Sequence, residues 1–264
     1  MHHKLEYLND GISLINDFIS PEEVITLNNE LDTLFSKKSS NGSLSAITLS
    51  KNTKHIMMPT LAVRSINLLE LSLKVKSELE KFSINFSSYV NTEIEIIQET
   101  KNSNVLGWHT DNRKGIVRAI LYIEIDEKKS GTFRYMKKSH IRDFHVDHYL
   151  NKEQVELYST DIINCFEPSG TLIIFNPDGF HGREECLGRR RIIMFEFQPK
   201  NSNFPKSAVP LSSRNLTNNV INNLSVFLNG ASNYNHGGDQ YYKDPPLNLK
   251  QKIFRKLRFF NKHL

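Results

Sequence analysis

After the first third of this chain, the hydrophobic rhythm changes from one turn of a helix to every second residue. No other feature constrains the fold as much. Residues 93–98, 116–125, 131–136, 170–176 and 190–198 are short apolar runs rich in β-branched and aromatic side chains, with turn residues between them. Upstream the pattern is helical. Ser20-Pro21-Glu22-Glu23 is a capping box with proline at the first helical position, and Val24, Leu27, Leu31 and Leu34 follow at helical spacing. A second helix over residues 65–88 carries Leu68, Leu71, Val75, Leu79 and Phe82 on one face. Residues 11–18 alternate like a short strand, and residues 38–60, rich in Ser, Asn and Lys, read as loop. Helices first and strands afterwards, without strand–helix–strand alternation, predict a mainly β fold with flanking helices and a double-sheet jelly-roll core.

The length of 264 residues favours one large domain, and 38% hydrophobic with 24% charged residues suits a globular chain with a substantial core. The expected organisation is a jelly-roll domain with N-terminal helices over residues 1–200, an irregular extension and linker over 201–246, and a basic amphipathic helix over 247–264. In that last segment Leu249, Ile253, Leu257, Phe260 and Leu264 share one face, amid Lys250, Lys252, Arg255, Lys256, Arg258 and Lys262. Such a helix either lies on an anionic membrane surface or packs on a protein core. The net charge of +5 includes much of this local excess, so a nucleic-acid partner is not expected. Cys165 and Cys186 have no metal-ligand spacing, and neither an export signal nor an uninterrupted apolar span is legible. The expected location is cytoplasmic, with peripheral contact at the inner face of a membrane through residues 247–264.

Chemistry concentrates in Gly107-Trp108-His109-Thr110-Asp111 and in Phe180-His181-Gly182. Two imidazoles and one carboxylate can cap one face of an octahedral metal and leave the opposite positions open, as non-haem Fe(II) activating O2 requires. A second His-x-Asp, His145-Val146-Asp147, lies in a polar stretch and leaves room for little more than one strand before His181. His109 and Asp111 are the better pair. Downstream, Arg189-Arg190-Arg191 opens a buried strand, and an arginine there suits a carboxylate co-substrate. Alternation puts Arg191 on the face of Ile193, Phe195 and Phe197, and Arg190 on the face of Glu196. This predicts Arg191 as the inward anchor, with Arg189 next. His140 reads as a loop brace and Asp178 as a turn residue.

The order His-x-Asp, strands, then His and a following Arg resembles the Fe(II)- and 2-oxoglutarate-dependent oxygenase superfamily. Trp108-His109-Thr110-Asp111, Ser130-Gly131-Thr132-Phe133-Arg134-Tyr135, Ser139-His140 and His181-Gly182 are similar to its phytanoyl-CoA dioxygenase-like family. The chain departs from that family's pattern at Lys137-Lys138, where Pro-Gly is usual, and at Arg183, where Ser or Thr is common. The resemblance spans roughly residues 10–200. It implies a double-stranded β-helix (cupin-like) fold, and Fe(II) held by His109, Asp111 and His181. It also implies 2-oxoglutarate as co-substrate with O2, a polar co-substrate contact at Gln98, and release of succinate and CO2. A carboxylate at position 111 implies hydroxylation. The expected substrate is a small-molecule or lipid- or sugar-linked metabolite. A peptidyl or protein hydroxylase, a zinc hydrolase and a non-catalytic jelly-roll binding module are the alternatives.

Overall fold

The structure, a computed structural model, describes residues 2–36, 46–50, 53–57, 66–101, 106–111, 115–126, 131–142 and 148–199. All fall within the first of two units, Met1–Tyr234 and Asn235–Leu264. The expected extension and linker over 201–246, the basic segment 247–264 and the second His-x-Asp lie outside the described residues.

Four helices are described: α1 (His2–Asp10), α2 (Pro21–Ser36), α3 (Ile66–Phe82) and α4 (Lys152–Leu157). The strands are β1 (Ile12–Ile15), β2 (Ala46–Ser50), β3 (Thr53–Met57), β4 (Tyr89–Glu99), β5 (Leu106–His109), β6 (Val117–Ile125), β7 (Phe133–Met136), β8 (Ile162–Cys165), β9 (Leu172–Phe175), β10 (His181–Arg183) and β11 (Arg190–Pro199). They form two antiparallel sheets, ordered β1-β9-β6-β11-β4-β3-β2 and β5-β10-β7-β8. This is the jelly roll, mainly β with flanking helices. Among the described residues no helix is long and apolar enough to cross a membrane.

The start of α2 follows from its capping box. The Ser20 N–H donates to Glu23 Oε2 at 2.7 Å, and the Glu23 N–H donates to Ser20 Oγ at 3.3 Å. Helix α1, which the sequence reading lacks, ends at Gly11, whose N–H donates to Tyr7 O at 3.0 Å and whose φ is 83°. A Cβ there would also meet Tyr135 Oη at 2.3 Å, so only glycine satisfies both the left-handed cap and the close approach. The expected loop over 38–60 contains the hairpin β2–β3, which extends the larger sheet beyond β4. Its Thr, Ser and Lys residues gave no strand signal, and β2 forms the edge of the sheet.

The larger sheet is covered on both faces. Leu27 and Leu31 of α2, with Leu68, Val75 and Leu79 of α3, pack on one face, against a layer that includes Ile96, Leu121, Ile193 and Phe195. On the other face, Ile120, Tyr122, Ile173, Phe175 and Ile192 meet Phe133 and Tyr135 of the smaller sheet. Burying each such Leu or Ile contributes about 1.5–3 kcal/mol. Burial on both faces explains why β6 and β9 read as nearly continuous apolar runs. It also means that the fold has two interiors, and that distinction decides the reading of the site.

Candidate metal centre

Strands β5 and β10 are neighbours in the smaller sheet, and His109 and His181 are direct Cα partners. Register alone therefore sets the two imidazoles side by side, with ring centroids 4.4 Å apart. Each histidine follows an aromatic residue that anchors its strand. Trp108 and Phe180 pack with Met136 in a separate cluster, so alternation turns His109 and His181 to the opposite side. Phe180 is held further by its N–H, which donates to Ser139 Oγ at 2.8 Å. Asp111, just past β5, is fixed through its backbone, whose N–H donates to Pro177 O at 2.9 Å.

Both imidazoles are oriented in the same way. Nδ1 of His109 lies 2.8 Å from Gly107 O, and Nδ1 of His181 lies 2.8 Å from Gly179 O. A carbonyl can only accept, so Nδ1 carries the proton and Nε2 presents its lone pair. His109 Nε2 is 3.9 Å from Asp111 Oδ1, and His181 Nε2 is 3.9 Å from Asp111 Oδ2. The ligand atoms of His109, Asp111 and His181 all lie within 4.8 Å of one another. Burial is the main reason that the His181 pKa falls to about 4, opposed by the Asp111 carboxylate and aided by His109. His181 is thus a neutral donor at physiological pH. Two lone pairs and a carboxylate converging on one point fit a divalent metal.

The expected co-substrate residues are placed elsewhere. Arg191, 1% exposed, is on the helix-covered side. It donates to Asn28 Oδ1 at 2.7 Å, Asn28 O at 3.1 Å, Asp32 Oδ1 at 2.6 Å and Gln98 Oε1 at 3.1 Å. Gln98 is the cross-strand partner of Arg191 and shares that side. Arg189, half-exposed, pairs with Asp32 at 3.2 Å and Glu124 at 3.1 Å. These contacts of all three run to α2 and to the strands beside it, on the helix-covered side of the larger sheet. The alternation was read properly, but the face of Phe195 and Phe197 points into the helix-side core, not between the sheets. Glu196, taken as the mark of an outer face, is 3% exposed.

The face between the sheets carries Arg190, with Ile192 and Met194 next along it. Arg190 is 3% exposed, with Nε 3.1 Å from Glu99 Oε2 and Nη1 donating to Gly131 O at 2.9 Å. Burial pulls its pKa downward, opposed by Tyr122 and Cys186. Glu99 also pairs with Arg183, which follows His181 by two residues and shares its face of β10. Arg190 is therefore linked through Glu99 to the strand that bears His181. Arg118 of β6 also reaches the cluster, with Nη1 2.7 Å from Asp111 Oδ2. Sequence reasoning missed both Arg118 and Glu99. Charged residues inside apolar strands were the available signal. Of the remaining residues, His140 lies beside Gly11, and the Asp178 N–H donates to Asn176 Oδ1 at 3.0 Å in a turn.

No family model matches the chain, and no curated protein matches it by sequence. Solved structures do. HygX from Streptomyces hygroscopicus, with nickel, 2-oxoglutarate and hygromycin B bound, is 19% identical with a TM-score of 0.57, over 78% of this chain and 88% of that one. The non-haem α-ketoglutarate-dependent epimerase SnoN from nogalamycin biosynthesis is 11% identical with a TM-score of 0.60, over 82% and 89%. EctD from S. alaskensis, with 2-oxoglutarate and 5-hydroxyectoine, is 13% identical with a TM-score of 0.61, over 75% of each chain. At these identities the likeness establishes the fold, a jelly roll shared with enzymes that hold a metal or 2-oxoglutarate.

Proposed function

We propose that this chain is an Fe(II)- and 2-oxoglutarate-dependent oxygenase that hydroxylates a small-molecule or lipid- or sugar-linked metabolite. The observation that carries the reading is the His109–His181 pairing, with both Nδ1 groups tied to backbone carbonyls and both Nε2 atoms facing the Asp111 carboxylate. His109, Asp111 and His181 would hold the iron. Bound there with 2-oxoglutarate, iron supplies O2 activation coupled to release of succinate and CO2.

The chain's own contribution is placement and exclusion of water. Arg190, on the same side of its sheet as the metal cluster, is our anchor for the far carboxylate of 2-oxoglutarate, in place of Arg191. A guanidinium suits that task through its paired donors. The apolar layer of Phe133 and Phe175, whose rings lie 5.9 and 5.1 Å from that of His181, keeps the inner side of the cluster dry. The likeness to HygX, SnoN and EctD, solved with small organic molecules or named for acting on them, supports a small-molecule substrate. The basic amphipathic pattern of 247–264 supports peripheral contact with an anionic membrane.

Anaerobic titration with Fe(II) and then 2-oxoglutarate tests the reading. We expect a visible charge-transfer band that needs both reagents, disappears in His109→Ala, weakens in Arg190→Met and persists in Arg191→Met. Metal-loaded protein that gives no band with 2-oxoglutarate would overturn it.

A further inference from the structure

We propose that Arg118 is a positioning residue that holds the Asp111 carboxylate against the two imidazoles and so strengthens metal binding at the cluster. The inference rests on the oxygenase reading above and deepens it.

Strand register sets up the arrangement. Arg118 on β6 is the Cα partner of Glu196 on β11 and, on its other side, of Phe175 on β9. All three face the space between the two sheets, at the end where Asp111 enters. Glu196 takes one edge of the guanidinium, its Oε2 accepting from Nε at 3.1 Å and from Nη2 at 2.9 Å. A guanidinium is planar and rigid, so fixing that edge also fixes the direction of Nη1. Nη1 meets Asp111 Oδ2 at 2.7 Å. With Oδ2 so placed, it lies 3.9 Å from His181 Nε2, and Oδ1 lies 3.9 Å from His109 Nε2.

Glu196 is itself held. Its Oε1 accepts from Gln198 Nε2 at 2.7 Å, and its backbone carbonyl accepts from Asn91 Nδ2 at 3.3 Å. The side chains of Arg118, Glu196 and Asp111 are 14%, 4% and 15% exposed, so water screens the chain of contacts only weakly. Glu196 also offsets the charge of Arg118, and the guanidinium can orient Asp111 without leaving an uncompensated cation beside the metal cluster. A plain cross-strand ion pair would need only the Arg118–Glu196 contact. The third nitrogen, in ion-pair contact with a candidate ligand carboxylate, is what assigns Arg118 a role in the site.

Co(II), which is stable in air and whose visible bands report coordination number, is the probe. Wild-type protein, Arg118→Gln, Arg118→Lys, Glu196→Gln and His109→Ala are titrated, with circular dichroism as the check of folding. Partners of metal ligands typically govern 10–100-fold in affinity. Arg118→Gln should therefore weaken Co(II) binding by about 10–100-fold and alter the band shape as Asp111 turns. Arg118→Lys restores a cation without the fork, and should recover part of the affinity but not the wild-type band. Glu196→Gln, which keeps the volume and one acceptor, should give a smaller loss in the same direction. If Arg118→Gln does not fold, Glu196→Gln decides the matter. Folded variants with wild-type affinity and bands would overturn the proposal while wild type and His109→Ala still separate. Wild-type protein that takes up no metal would instead remove the oxygenase reading, and this inference with it.

Discussion

Arg190 and Arg191 are adjacent and both buried, yet they make contacts on opposite faces of β11, and the proposed difference in their roles can be measured. Arg191→Met keeps the apolar stem and removes the guanidinium. Of its partners, the Asp32 side chain is 59% exposed and regains water at little cost. Asn28 and Gln98 are worse placed, since their oxygens lose a charged donor inside the helix–sheet contact. Hydrogen bonds to a charged group contribute about 1.5–3 kcal/mol each. With partial compensation by the methionine, we expect a loss of about 3 kcal/mol. For a domain of this size that lowers Tm by about 6–12 °C. The same variant should bind 2-oxoglutarate to the metal-loaded protein within about threefold of wild type, because Arg191 is engaged by Asn28, Asp32 and Gln98 on the helix-covered side of the sheet. Arg190→Met should do the reverse to affinity. Truncating one partner of a buried charged pair costs about 2–5 kcal/mol, which places the loss near a hundredfold or more. Calorimetric titration of 2-oxoglutarate into each folded variant, with thermal unfolding alongside, reads both quantities. An Arg191→Met protein with intact Tm and no 2-oxoglutarate binding would refute the assignment of the two faces, and the anchor would return to Arg191.

Gly179→Ala should destabilise the turn before His181, because the new Cβ would lie 2.0 Å from Tyr135 Oη and 2.9 Å from Ser139 Oγ. Overpacking of this kind costs about 1–3 kcal/mol, seen as a lower Tm, and weaker Co(II) binding should accompany it as the Gly179 carbonyl leaves His181 Nδ1. Leu79→Ala, at a fully buried position of α3, should cost about 2–5 kcal/mol in denaturant unfolding without altering metal affinity. Burial raises the Cys165 thiol pKa far above the usual range, so native protein at pH 8 should leave Cys165 unreacted with a disulfide reagent until denaturant is added. Deleting residues 247–264 should abolish sedimentation with anionic vesicles, and unchanged sedimentation would remove the membrane role.

Much of the architecture was legible because long period-two runs leave few alternatives. The apolar runs at 93–98, 116–125, 170–176 and 190–198 became β4, β6, β9 and β11, and the box at Ser20–Glu23 starts α2. The candidate cluster was legible for a different reason: His109-Thr110-Asp111 and the distant His181 form a motif that spacing alone displays. The structure adds that Trp108 and Phe180 anchor the strands from the opposite side. Some short elements were not read. α4 carries a local signal, the capping box between Asn151 and Gln154, whereas α1, β8 and the polar hairpin β2–β3 show little apolar pattern of their own.

Strand β11 shows where period-two reasoning stops. Alternation sorts the residues of a strand into two sets but does not say what each set faces, and in β11 both sets are buried. Glu196 seemed to settle the matter, since a carboxylate on a strand usually marks water. It is buried because Arg118, on the neighbouring strand, meets it from the same side. The more informative reading takes the two together. An arginine within Ile-Val-Arg-Ala-Ile-Leu and a glutamate within Met-Phe-Glu-Phe are each costly to bury alone, and central strands of a doubly covered sheet give them nowhere else to go. They are tolerated only as a pair, and the pair marks the polar end of the space between the sheets, where Asp111 enters. A charge that interrupts an apolar strand thus says more about which face holds the chemistry than the apolar residues around it.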